Sequence, residues 1–96
     1  MRHIRVEQVG PEVFRVEVAD GDVERVHLVT ALPEDVDRLA AGRGGEGLVE
    51  ESFEFVLKRE PIGILPENFH LLLIARYHPD YLEEIPKRMV LRPGEP

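Results

Sequence analysis

Residues 12–30 read EVFRVEVADGDVERVHLVT, and the fold turns on how that stretch pairs with itself. Phe14, Val16 and Val18 alternate with Arg15 and Glu17, and beyond Asp20-Gly21 the apolar residues return at Val26 and Leu28. Period-two alternation marks strands with one buried face. Upstream, Ile4 and Val6 alternate with Arg5 and Glu7, and Gly10-Pro11 separates them from Val13. Gly-Pro and Asp-Gly are both strong turn signals, so residues 1–30 predict a three-stranded antiparallel β-meander.

Its register depends on loop length. A two-residue Asp20-Gly21 loop pairs Val18 with Val23 and sets Phe14 opposite His27, splitting the apolar face. A three-residue loop, Ala19-Asp20-Gly21 with Gly21 at positive φ, sets Phe14 opposite Val26 and Val16 opposite Glu24. Phe14, Val26 and Leu28 then share a face, because a one-residue slip flips every side chain. The three-residue turn is therefore the expected one. Arg5, Glu7, Arg15, Glu17, Arg25 and His27 fall on the opposite face, with Val13, Val23 and Val29 among them, which predicts partial cover there.

Helices follow. Pro33-Glu34-Asp35 opens a short one, with proline at the first helical position, acids in the first turn and Gly42 past its end. Val36, Leu39 and Ala40 are its inward stripe. The glycine-rich segment 42–47 predicts a mobile loop; it lacks the Gly-Lys-Ser/Thr of a phosphate cradle. A second helix spans roughly 47–60, with Val49, Ser52, Phe53, Val56 and Leu57 on one stripe and Pro61 ending it. Phe55 lies off that stripe, which points to burial on two sides or to contact with another chain. Leu71, Leu72, Ile74 and Ala75 suggest a third helix, and Pro79-Asp80-Tyr81 restarts a short one towards Ile85. The expected fold class is α+β in a single domain: the meander at 1–30, a short helix and compact C-terminal helical group at 31–85, and an extended tail at 86–96.

Composition narrows function by exclusion. The chain has one serine (Ser52), one threonine (Thr30), one asparagine (Asn68), one glutamine (Gln8), no cysteine and no tryptophan. That excludes a catalytic thiol, a disulfide scaffold and a zinc ribbon, and makes the cytoplasm the expected compartment. Ser52 sits in no Gly-x-Ser-x-Gly elbow and no Ser-x-x-Lys motif. A net charge of −7 opposes attraction to nucleic acid or anionic membrane. The longest apolar run, Leu71–Ala75, is far short of the roughly 20 residues a membrane span needs. Alternation at the N-terminus is unlike a signal peptide. Ten arginines against two lysines suit either a thermophile or a GC-rich genome.

The second half carries Ser52-Phe53, Phe55, Glu60-Pro61, Ile64-Leu65, Phe69 and the run Arg76-Tyr77, Pro79-Asp80-Tyr81. In this pattern it resembles small uncharacterised bacterial proteins, mainly from high-GC genomes, in which Ser-Phe-x-Phe and Glu-Pro precede Ile-Leu and Arg-Tyr-x-Pro-acid-Tyr. The resemblance covers about a third of the chain and implies no activity. The family pattern has an acid near His70 and an aromatic at His78, so this chain departs from it at both histidines.

The candidate polar site is His70, Arg76, Tyr77, His78, Asp80 and Tyr81, since histidine and carboxylate bind metal or move protons near neutral pH. The spacing argues against metal: helical ligands sit four apart, whereas His70 and His78 are eight apart with Pro79 following. The plainer reading has His70 capping a helix and His78 ending one. Glu50, Glu51, Glu54 and Glu60 read as a solvated acidic face, with acids at the helix start complementing its dipole. Residues 47–77 also permit a helix–turn–helix around Pro61–Gly63, but Glu67, Asn68 and His70 are a poor start for a recognition helix. No cofactor and no metal is expected. The expected function is a small interaction or regulatory module rather than an enzyme, acting as a homodimer because so short a chain buries only a modest core. The alternative is a small-molecule or metal-binding protein using the His70–Tyr81 region.

Overall fold

Alternation does build the meander, and a fourth strand from far along the chain extends it. In the computed structural model, which describes residues 2–91, β1 (Arg2–Gln8), β2 (Val13–Asp20) and β3 (Val23–Thr30) pair antiparallel. β4 (Asn68–His70) joins β3 in parallel, giving the order β1-β2-β3-β4. Helices α1 (Pro33–Leu39), α2 (Gly45–Leu57), α3 (Leu73–Tyr77) and α4 (Tyr81–Leu91) complete the α+β fold. The residues expected to run from Phe69 into an apolar helix thus begin as a strand, and α3 is only one turn and a half.

The β2–β3 register differs from the expected one. Asp20 pairs with Val23 across a two-residue Gly21-Asp22 loop, so Phe14 faces Val29, Val16 faces His27 and Val18 faces Arg25. Gly21 has φ 63° and Asp22 does not share it, the arrangement of a II′ turn, whose twist matches the flanking strands without a bulge. Val23, Arg25, His27 and Val29 therefore point inward with Phe14, and Val26 and Leu28 point outward. The inward histidine is the physical reason. His27 is 2% exposed, its Nδ1 lies 2.6 Å from the Pro66 carbonyl oxygen, and its ring packs against Phe53 and Phe69. A carbonyl only accepts, so Nδ1 donates.

Helix α2 is buried on two sides. Leu48, Val49, Phe53 and Val56 belong to the core, as does Phe55, which packs edge-on to Tyr81 with ring centroids 5.5 Å apart. Two-sided burial therefore accounts for Phe55. Tyr81, Ile85 and Met89 recur every fourth residue along α4 and are wholly buried. Phe53 and Phe69 stand in the same core, tilted at 5.9 Å. The tail expected from residue 86 is helical as far as Leu91, with Pro86 inside the helix; residues 92–96 lie outside the described ones. Likewise, the glycine-rich segment shortens, because Gly45 and Gly47 belong to the start of α2.

These two glycines make different demands. A Cβ on Gly45 would stand 2.4 Å from Cζ of Phe14, a buried ring, whereas one on Gly47 would meet only the Met89 methyl at 3.6 Å. Gly45→Ala should therefore destabilise the protein by about 1–3 kcal/mol through overpacking. Gly47→Ala should be neutral or stabilise it by up to about 1 kcal/mol, since alanine loses less backbone entropy in a helix. Chemical denaturation of the two variants checks the ordering.

Candidate functional site

The six residues of the candidate polar cluster do not converge. Tyr81 is in the core, Tyr77 is exposed, and the remaining four divide between two places. His78 and Asp80 belong to the seam between α2 and α4. His70 and Arg76 belong to the open edge of the sheet.

At the seam, Arg59 donates to both carboxylate oxygens of Asp80 at 2.9 and 2.8 Å. Those hydrogen bonds hold the Asp80 carboxyl below the usual carboxylate range and raise the Arg59 guanidinium. Arg59 also stacks on Phe55, 4.1 Å from the ring centroid, and His78 Nε2 is 3.5 Å from a Glu60 oxygen. Glu51, expected on a solvated acidic face, is instead buried and lies 3.4 Å from Arg88. Beneath them, Ser52 Oγ donates to the Leu48 carbonyl at 2.7 Å and lies 2.7 Å from the Tyr81 hydroxyl. Serine has one hydrogen, which Leu48 takes, so Tyr81 donates to Ser52. Burial pushes the Tyr81 phenol up. Arg59 with Asp80, Arg88 with Glu51 and His78 with Glu60 each come within 3.5 Å of one another, and Arg59 also lies on an aromatic face. This arrangement clamps two helices together, with His78 Nε2 and Arg88 Nη1 enclosed and given no hydrogen-bond partner among the described residues.

At the sheet edge, Pro66, Asn68, Phe69, His70, Leu72, Leu73 and Arg76 line an open, mostly apolar depression of about 520 Å³. His70 Nδ1 accepts the Leu72 N–H at 3.2 Å, which ties β4 to the start of α3. The helix–turn–helix reading ends here, because β4 stands where a recognition helix would begin and α3 has five residues. Among the described residues, no three histidine or carboxylate groups are placed to share a metal ion.

The third feature was hidden by the register. The described helices lie on the inner side of the sheet, and no described element covers the outer side. Its rows run Arg5–Glu17–Val26 and Glu7–Arg15–Leu28–Asn68. On it Val26 is 46% and Leu28 42% exposed, side by side on β3, and Arg15 pairs with Glu17. Of the three valines expected to interrupt this face, only Val13 lies on it. No sequence signal separates the two parities of β3, because each carries two apolar residues.

No family model matches this chain, and neither the curated proteins nor the solved structures contain a match.

The Ser52–Tyr81 pair generates a stability test. Ser52→Ala leaves a buried phenolic donor without its acceptor and should destabilise the protein by about 1–3 kcal/mol, more than Tyr81→Phe. Since the folded phenol titrates above its unfolded value of about 10, its share of stability is complete below that pH and is lost as pH rises further. Denaturation midpoints against pH, with near-ultraviolet phenolate absorbance, check both points.

Proposed function

We propose that this chain is a small cytoplasmic protein-interaction module whose working surface is the uncovered outer face of the sheet. One observation carries the reading: Val26 and Leu28 stand adjacent and exposed on a face that no described element covers. Lone exposed apolar residues are ordinary, but a pair within a charged border has the make-up of a contact surface. The thin catalytic inventory points the same way, because the polar groups at the α2–α4 seam are engaged with one another. A second copy is the partner for which the chain itself supplies a surface, so the module is read as a homodimer.

A second reading rests on the edge depression. Its lining is mostly apolar and includes Arg76 and His70. Such a site suits a small molecule with an apolar body and an anionic end.

For the main reading, a photo-crosslinking amino acid at position 28 should join the protein to a partner in cells, and the same group at exposed position 83, on α4, should not. Absence of any product at position 28 would sink it. For the second reading, octanoate should raise the melting temperature of the wild type and leave that of Arg76→Ala unchanged. Equal response, or none, removes it.

A further inference from the structure

We propose that a second copy of this chain docks on the outer sheet face through a two-fold axis that lies in the interface plane and runs across the strands. The proposal rests on the reading of that face as the interaction surface, and it names both occupant and geometry.

The charges on β1 and β2 form a checkerboard. Arg5 stands beside Glu17 in one row, and Glu7 beside Arg15 in the next. Rotation about an axis between these rows keeps each strand over its equivalent and exchanges the rows. Arg5 then meets the partner copy's Glu7, Glu17 meets Arg15, and Val26 meets Leu28. All three pairings are complementary, and each occurs twice because a two-fold contact is isologous. The neighbouring rows agree, since Ala19 is brought over Val13. An axis along the strands between β1 and β2 also matches the charges, but it leaves Val26 and Leu28 beyond the contact. Moved under β2, it sets Arg5 on Val26. Only the axis across the strands both pairs the charges and covers the apolar residues.

Face-to-face sheets pack about 10 Å apart with strands aligned to within about 30°, which this axis allows. Strands of this length, spaced at about 4.8 Å, give a footprint of roughly 20 by 25 Å. That is at the small end of specific interfaces, so the dimer should be concentration-dependent and of micromolar class.

Sedimentation equilibrium across micromolar concentrations provides the test. The wild type should move from monomer to dimer, and Leu28→Glu should remain monomeric. An acidic variant, Arg5→Glu with Arg15→Glu, and a basic one, Glu7→Lys with Glu17→Lys, should each be monomeric alone. Mixed in equal amounts they should form a heterodimer, because every juxtaposition of the two faces is then attractive. Circular dichroism establishes that each variant is folded; if the charge variants are not, Leu28→Glu decides. A wild type that stays monomeric, a dimer that survives Leu28→Glu, or folded charge variants that do not associate on mixing would overturn the proposal. A monomeric wild type that crosslinks at position 28 to a different protein overturns the second copy as occupant and leaves the interaction reading intact. A dimer formed with no crosslink at position 28 places the contact elsewhere and overturns both.

Discussion

The hydrogen bond from His27 to the Pro66 carbonyl is the contact on which the rest of this structure depends. It is short, at 2.6 Å, and it joins β3 to the segment that leads into β4. A histidine can enter a core when its polar atoms find partners, and here one ring nitrogen does so while the ring itself packs on two phenylalanines. The other nitrogen, Nε2, is enclosed with no partner among the described residues, a penalty the packing of Phe53 and Phe69 must offset. Placing His27 inward fixes the parity of β3. Val29 then enters the core opposite Phe14, and Val26 and Leu28 are turned outward.

From that parity the architecture follows in order. With Val29 inward, β4 pairs so that Phe69 lies beside Val29 on the inner side, where it closes the core over Phe53. The carbonyl of Glu67 accepts from Leu28 N–H at 2.8 Å, and Thr30 accepts from Leu71 N–H at 2.8 Å, so β4 is anchored at both ends although it has only three residues. The inner side is then filled by α2, which turns a second buried face to α4. That second face explains why aromatic, cationic and carboxylate side chains gather around Phe55. Their mutual pairing stabilises the helix seam.

The outer side shows the other consequence of the same constraint. Had Val26 and Leu28 pointed inward, β3 would have turned Val23, Arg25, His27 and Val29 to the outer face instead. Turned outward, Val26 and Leu28 create an apolar strip beside a charge checkerboard, and a surface of that make-up gains from being covered. The free energy that orders the core and the feature that suggests a partner thus come from one choice of register.

Much of this was legible in the sequence, and the limits are physical. Alternation at Ile4–Val6 and Phe14–Val18 determined two strands and their inward residues, since one buried face requires period two. Pro33 with its following acids determined the start of α1, the spacing of Val49, Phe53 and Val56 determined the core stripe of α2, and Phe55 off that stripe signalled either burial on a second side or contact with another chain. The register of β3 was not legible, because both of its faces carry two apolar residues and the choice is made by Pro66, 39 residues away. Nor was β4, a strand of three residues whose pairing depends on β3 being in place. The candidate cluster of His70, Arg76, Tyr77, His78, Asp80 and Tyr81 was compact along the chain and is dispersed in space, for Arg59 draws Asp80 to one side while β4 holds His70 on another. Local pattern determined which segments are strand or helix and which of their residues can be buried; only the tertiary structure, through contacts between distant segments, decided which of two equally apolar faces is buried and which is left exposed.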